Sequence, residues 1–194
     1  MEQGIFMKQG KIFIISAPSG AGKSTLCNLI LKNFPDISYS ISYTTRKPRN
    51  NENHGVAYSF ITNYEFEKKI EKKFWAEWAM VHGNYYGTSI EFINQKIESG
   101  KSLILDIDIQ GAKKIVDLYP DAIKIFIMPL SFNILEQRLI SRNTDSKDVI
   151  KKRLENARKE ISQKDFYDHV IVNDELEKAF RQINKIIKKA FCEN

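Results

Sequence analysis

The chain has 194 residues, of which 42% are hydrophobic and 28% are charged. These values suit one soluble domain with inserted lobes and enough apolar residues for a real core. No apolar run approaches the ~20 residues that a membrane helix needs, which argues against a membrane protein.

The formal net charge is +6. Its lysine pairs are scattered along the chain and do not form one basic block. Solvated helix faces explain such pairs, and among anionic partners the pattern favours small polyphosphates over nucleic acid.

The sequence has only two cysteines, Cys27 and Cys192, and residues 1–11 contain no long apolar stretch. We therefore expect no disulfide framework, no signal peptide and a cytoplasmic protein. The three histidines, His54, His82 and His169, are expected to be structural or surface residues.

Apolar patterning predicts strands alternating with helices before residue 37 and after residue 89. The predicted strands are 11–16, 38–43, 57–62, 74–81, a short strand near 83–88, 102–108, 122–128 and 169–173. The predicted helices are 23–34, 64–73, 89–99, 110–118, 131–141 with Ser131 as N-cap, 148–162 and a final amphipathic helix that includes Leu176 and Phe191. This alternation predicts an α/β fold whose parallel sheet has helices on both faces.

The region 37–89 differs, because it contains short strands with turn signals. We interpret it as an inserted lobe of mixed α+β structure. Residues 138–153 are expected to form a helical lid that includes a polar flap. The predicted core segments are 1–36, 90–137 and 154–194.

A glycine-rich loop follows the first strand and leads into the first helix. Such a loop and helix N-terminus can bind the β- and γ-phosphates of a nucleotide through backbone N–H groups and a lysine. Ala17 stands where the usual pattern has glycine. The predicted ATP-binding residues of this loop are Ala17, Pro18, Ser19, Gly20, Ala21, Gly22, Lys23, Ser24 and Thr25.

A carboxylate at the end of an apolar strand beside a phosphate loop is typical of a magnesium-orienting aspartate. Asp106 fits this role, directly or through water, together with the Ser24 hydroxyl. Asp108 could instead contact a second substrate.

Transfer of a phosphoryl group from one phosphate ester to another brings two anions together, and the acceptor phosphate is the nucleophile. Five arginines could neutralise their charge: Arg46, Arg49, Arg138, Arg142 and Arg153. A guanidinium binds phosphate oxygens bidentately and stays charged. A phosphate monoester is largely dianionic at neutral pH, so such a nucleophile needs no general base. Catalysis would then depend on positioning and charge neutralisation.

Six stretches together resemble the guanylate kinases, in family order and over most of the chain. They are residues 17–25 (APSGAGKST), 42–49 (SYTTRKPR), 77–79 (EWA), 83–87 (GNYYG), 105–111 (LDIDIQG) and 170–174 (VIVND).

The resemblance implies a P-loop NTPase-type sheet and one guanylate kinase-like domain at about 10–188. It also implies transfer of the ATP γ-phosphate to GMP in the presence of Mg²⁺, with dGMP as a further substrate. It implies that the lobe 37–89 binds GMP. Its phosphate would be held by Arg46, Arg49, Tyr58 and Tyr86, and its guanine would be read by Ser42, Glu77 and Thr88, together with Asp108 outside the lobe. It also implies catalytic roles for Lys23, Arg46, Arg142 and Arg153, and ATP binding by Arg138.

Glu77 also has an independent physical argument. A carboxylate can accept the adjacent N1–H and N2–H donors of guanine, whereas adenine would leave it unpaired. The alternatives are a catalytically silent guanylate-kinase-like interaction module, another nucleoside monophosphate kinase, and a nucleic-acid binder. The chain could be a monomer or a homo-oligomer.

Overall fold

The computed structural model describes residues 9–48, 52–56, 58–81, 83–141 and 146–192. In chain order the strands are β1 (Ile12–Ser16), β2 (Ile37–Tyr39), β3 (Tyr43–Thr44), β4 (Ser59–Phe60), β5 (Trp75–Val81), β6 (Asn84–Ser89), β7 (Ser102–Asp106), β8 (Ile123–Pro129) and β9 (His169–Asn173). The α-helices are α1 (Lys23–Asn33), α2 (Asn63–Glu71), α3 (Ile90–Glu98), α4 (Ile109–Leu118), α5 (Phe132–Ser141), α6 (Lys147–Ile161) and α7 (Leu176–Cys192). A 3₁₀ turn at Lys164–Phe166 was not predicted from the sequence.

Five strands form a sheet in the order β2, β7, β1, β8, β9. The pairs β2–β7, β1–β8 and β8–β9 are parallel. All five residues of β1 are buried, as expected for a strand with helices on both faces. The prediction of an α/β fold with a parallel sheet is confirmed.

A second sheet has four strands in the order β4, β3, β6, β5. β6 runs antiparallel to both β3 and β5. Its register places Glu77 of β5 directly opposite Thr88 of β6. This pairing brings two predicted binding residues, eleven positions apart, onto one face of the sheet.

The prediction of one strand over residues 38–43 is wrong. β2 ends at Tyr39, and the Ser40 N–H donates to the Ile104 carbonyl of β7. β3 begins at Tyr43 and pairs with β6 of the other sheet. The alternating pattern therefore covers two short strands that belong to different sheets.

Two helices begin with capping hydrogen bonds from residue types that favour helix N-termini. Thr62 and Glu65 form a reciprocal capping box at the start of α2. The predicted N-cap Ser131 accepts a hydrogen bond from the Ile134 N–H at 3.3 Å. Within the described part of the chain, no helix combines the length and apolar character required to cross a bilayer.

The chain divides into two compact units. The first comprises Met1–Ile12, Asp36–Leu105 and Gln110–Ala122. The second comprises Phe13–Pro35, Asp106–Ile109 and Ile123–Asn194. The division into core, lobe and lid segments inferred from the sequence stays a prediction.

Candidate active site

The glycine-rich loop lies in the second unit, between β1 and α1. Gly20 and Gly22 have φ angles of 95° and 90°, in the left-handed region that side chains disfavour. Gly22 is the N-cap of α1, and it brings no side chain to cap the helix; the first turn of α1 has no acidic residue. The N–H groups at this helix end, and its positive dipole end, can therefore serve an anionic ligand.

Lys23 and Asp106 form an ion pair beside this loop. Burial raises the pKa of the neighbouring Cys27 thiol to about 12, with a further rise from Asp106 and an opposing effect of Lys23. The thiol is consequently neutral at physiological pH and inert as a nucleophile. The structure therefore brings together two residues that were predicted from the sequence to serve the phosphate site, Lys23 and Asp106.

Two hydrogen bonds tie the loop region to the ends of strands. The Ser16 hydroxyl donates to the Ile107 carbonyl at 2.7 Å. The Asn173 amide donates to the Ala21 carbonyl at 2.7 Å, and both partners are buried. No role was predicted for Asn173 from the sequence, although it lies in the VIVND stretch that carries the family resemblance.

Glu160 is a second residue that sequence reasoning missed. Burial raises the pKa of its carboxyl to about 7, opposed by the Lys23 charge and assisted by Asp108. Burial also raises the pKa of Tyr167 to about 12, with Asp108 and Glu160 adding to the rise. The second unit therefore places two carboxylates, Asp108 and Glu160, in one electrostatic environment with Lys23.

Arg138 and Arg153 lie on α5 and α6 respectively, and both are partly buried. α5 packs against the loop, because a Cβ added at Gly20 would meet Leu135 at 3.1 Å and Leu139 at 3.4 Å. The helix that carries Arg138 is thus beside the predicted phosphate site. Arg142, the predicted catalytic residue of the flap, lies outside the described residues.

In the first unit, Glu77 is 94% buried, its residual exposure being 6%. Thr88, 1% exposed, donates its hydroxyl proton to Glu77 Oε1 at 2.6 Å. A buried carboxylate normally needs polar partners to offset the loss of water. One such partner is Thr88, which was itself predicted to recognise guanine.

Arg46 lies at the centre of a polar cluster in the same unit. Its Nε donates to the Tyr86 hydroxyl at 3.2 Å, and one terminal nitrogen donates to the Lys47 carbonyl at 2.8 Å. The two terminal nitrogens also meet the two Glu52 oxygens at 2.9 and 3.0 Å. The guanidinium lies over the Tyr58 ring, 5.4 Å from its centroid.

The structure thus brings together three predicted phosphate-binding residues, Arg46, Tyr58 and Tyr86. Glu52 is an addition, because no role was predicted for it from the sequence. Its hydrogen bonds raise the pKa of Arg46 above the usual arginine value, so the guanidinium stays charged. Ser42 lies on the same chain segment, partly buried, and its carbonyl accepts from the Ser59 N–H at 2.9 Å. Arg49 lies outside the described residues.

Comparisons with known proteins agree with this arrangement. The family model described as guanylate kinase matches residues 9–190. A guanylate kinase of Syntrophotalea carbinolica is 48% identical over 95% of this chain and 88% of its own length. One from Geobacter metallireducens is 46% identical over 95% and 91%.

Among solved structures, a crystal structure of guanylate kinase from Anaplasma phagocytophilum matches with a TM-score of 0.78 and 33% identity. The match covers 94% of this chain and 87% of that one. The sequence and fold similarities therefore extend over nearly the whole length of both partners, and the chain belongs to the guanylate kinase family.

Proposed function

We propose that the chain transfers the γ-phosphate of ATP to GMP and releases ADP and GDP. The observation that carries the proposal is the buried Glu77 carboxylate, held by Thr88 on the neighbouring strand. A fixed acceptor in a site of low polarity discriminates between bases that differ in their donors.

Glu77 accepts the N1–H and N2–H donors of guanine, while Thr88 and Ser42 complete the polar contacts to the base. Adenine lacks a donor at N1, and uracil and cytosine do not fill the same volume. A base without matching donors leaves acceptor positions of this buried carboxylate unfilled, which is unfavourable, so the site rejects these bases.

Arg46, Arg49, Tyr58 and Tyr86 bind the GMP phosphate. Arg46 already donates four hydrogen bonds, to Tyr86, Lys47 and Glu52. A guanidinium has five N–H donors. A phosphate that binds Arg46 bidentately therefore displaces one of the present acceptors, and Glu52 and the phosphate share the arginine.

The loop from Ala17 to Thr25 binds the phosphates of ATP through backbone N–H groups and the Lys23 ammonium. Ser24 and Asp106 offer the hydroxyl and carboxylate oxygens that Mg²⁺ prefers, and the ion pair with Lys23 places Asp106 beside the loop. When bound with ATP, Mg²⁺ neutralises charge on the donor phosphates. Arg138, Arg142 and Arg153 supply further positive charge, and Asp108 is a second candidate contact to GMP.

Attack on the γ-phosphorus needs no general base, because the GMP phosphate is largely dianionic at neutral pH. The protein accelerates transfer by holding the two anions in line and neutralising their charge. The segment 138–153 acts as a lid that excludes water during transfer. Low cysteine content fits a cytoplasmic location.

A coupled assay of ADP release tests the proposal, with GMP, dGMP, AMP, CMP, UMP and dTMP offered in turn. We expect turnover with GMP, weaker turnover with dGMP, and none above background with the others. Preference for another base would overturn the substrate assignment. Absence of turnover with every acceptor would support the silent interaction module instead.

Lys23→Ala tests the donor site in the same assay. Loss of the ammonium removes charge stabilisation of the transferred phosphoryl group, so we expect kcat to fall by about 100-fold or more. Lys32→Ala, at the other end of α1, is the matched control and should keep normal turnover. Near-normal activity of Lys23→Ala would contradict the phosphate-loop assignment.

A further inference from the structure

We infer that Asn173 is a positioning residue for the phosphate-binding loop. Its side chain holds the Ala21 carbonyl and thereby fixes the peptide group between Ala21 and Gly22. The inference rests on the proposed function, since it assigns the ATP phosphates to that loop.

The two partners lie 152 positions apart in the sequence and meet inside the second unit. The Asn173 Nδ2 donates to the Ala21 carbonyl at 2.7 Å. Asn173 is 5% exposed and Ala21 is fully buried. Water therefore has little access to replace this hydrogen bond, and breaking it leaves a buried polar group unpaired.

The carbonyl that Asn173 holds belongs to the same planar peptide group as the Gly22 N–H. All described peptide bonds are trans, so this C=O and N–H point in opposite directions. Fixing the Ala21 oxygen therefore also fixes the direction of the Gly22 N–H. That N–H belongs to the N-cap of α1, at the helix end that would face the ATP phosphates.

The same asparagine also restricts position 22. A Cβ added to Gly22 would collide with Asn173 Nδ2, in addition to the strain of a φ of 90°. Gly22 and Asn173 are thus mutually dependent, because the amide occupies the space that a side chain at 22 would need.

A rigid element carries the asparagine. Asn173 is the last residue of β9 and pairs in register with Pro129, the last residue of β8. The carboxyl ends of parallel strands are where α/β proteins bind their ligands. The hydrogen bond from Asn173 therefore links the loop to the fixed carboxyl end of β9. The two glycines of the loop could otherwise adopt several conformations.

The test compares Asn173→Ala and Asn173→Asp with the unchanged protein, using KM for ATP, KM for GMP and calorimetric affinity for ADP with Mg²⁺. Asn173→Asp keeps the size of the side chain but cannot donate when ionised, and it adds a negative charge beside the phosphates. We expect KM for ATP and Kd for ADP to rise by about tenfold in Asn173→Ala, as for a lost buried hydrogen bond, and more in Asn173→Asp. KM for GMP should change less than twofold, because Ser42, Glu77 and Thr88, which are predicted to bind the guanine, lie in the other unit.

Val172→Ala is the matched control, because Val172 is the preceding residue of β9 and is 38% exposed. It should leave all three constants unchanged. Unchanged KM for ATP and Kd for ADP in both Asn173 variants would overturn the inference, and so would equal rises for ATP and GMP. If the unchanged protein did not phosphorylate GMP, the proposed function would fail, yet ADP affinity would still decide the role of Asn173.

A double-mutant cycle with Gly22→Ala provides a second, independent measurement. Removing the Asn173 amide relieves the collision with the new methyl group, although the φ strain remains. Gly22→Ala should therefore raise Kd for ADP by a smaller factor in the Asn173→Ala background than in the unchanged protein. We expect the two factors to differ by about fivefold or more, as is typical of residues in contact. Additive effects would mean that Asn173 acts on the fold in general and not on the loop.

Discussion

Glu77 is the residue on which substrate choice depends in the proposed function. Glu77→Gln keeps the size of the side chain but replaces one acceptor oxygen with an NH₂ donor, which opposes the donors of guanine. We expect KM for GMP to rise by about 100-fold or more, because a mismatched buried polar pair discriminates strongly. KM for ATP should stay within about twofold of normal.

Thr88→Val is the companion variant, since it removes the 2.6 Å hydrogen bond to Glu77 without changing the side-chain volume much. The Glu77 side chain loses one orienting partner, so we expect a rise of about tenfold in KM for GMP. If Glu77→Gln left the affinity for GMP unchanged, guanine recognition would have to be assigned to other residues.

Glu160 makes stability depend on pH. Its pKa of about 7 exceeds the unfolded value of 4.5, so the folded state retains a proton that the unfolded chain releases. The free energy of unfolding should therefore fall as pH rises from about 4.5 to 7. The side chain is only partly buried, so we expect this contribution to be about 1–2 kcal/mol.

Urea unfolding at pH 5 and pH 8 measures this contribution. Glu160→Gln has no proton to lose and should be less destabilised between these pH values than the unchanged protein. Glu155→Gln, on the exposed side of the same helix, is the control and should follow the unchanged protein. If the unfolding free energies of Glu160→Gln and Glu155→Gln changed equally between the two pH values, burial of the Glu160 carboxyl would not be the cause of the pH dependence.

At the scale of secondary-structure elements, Gly87 of β6 shows why the GNYYG stretch contains its second glycine. A Cβ added at this position would meet Phe66 at 2.9 Å and Trp75 at 3.0 Å. These two rings are stacked at 4.2 Å and cannot easily move apart. We expect Gly87→Ala to lower the free energy of unfolding by about 1–3 kcal/mol, as overpacked sites do.

The first glycine of that stretch offers a contrast in the same unfolding experiment. Gly83 has a φ of 77° and no atom within 4 Å of an added Cβ. Asparagine tolerates this backbone region, so Gly83→Asn should change the unfolding free energy by only about 0.5 kcal/mol or less. If Gly87→Ala changed the unfolding free energy as little as Gly83→Asn, packing against Phe66 and Trp75 would not explain the glycine at position 87.

Local signals explain why most elements were predictable. Hydrophobic periodicity and caps such as Ser131 depend on residues close in sequence. The predicted strand at 38–43 failed because its division depends on pairing with Ile104 in one sheet and Tyr86 in the other. Alternation alone cannot show which distant strand supplies the hydrogen bonds.

The same distinction applies to the site. Glu77, Thr88 and Arg46 could be proposed from motifs, because guanine and phosphate chemistry require those side chains. Asn173 and Glu160 could not, since their importance arises from contacts with the loop region and from burial. Neither property is visible in a single sequence.

At the scale of the whole molecule, the predicted residues separate by unit, except that Asp108, a predicted GMP contact, belongs to the second unit. Glu77, Thr88, Arg46, Tyr58 and Tyr86 belong to the first unit, together with Glu52. The phosphate loop, Lys23, Asp106 and Asn173 belong to the second. Each unit therefore holds a set of residues suited to one of the two nucleotides, so each nucleotide should bind in the absence of the other.

Thermal unfolding with single nucleotides tests this separation. A ligand at 100 times its Kd adds about 2.7 kcal/mol to the free energy of unfolding. For a chain of this length, that corresponds to a rise in Tm of about 5–10 °C. We expect GMP alone, and ADP with Mg²⁺ alone, each to raise Tm by this amount.

Two variants should separate these shifts. Glu77→Gln should lose most of the shift produced by GMP and keep the shift produced by ADP, whereas Lys23→Ala should show the opposite pattern. The reason is that each substitution removes a contact to one nucleotide and leaves the other unit unchanged. Loss of both shifts in either variant would mean that the two nucleotides depend on common residues, and the assignment of one nucleotide to each unit would then be wrong.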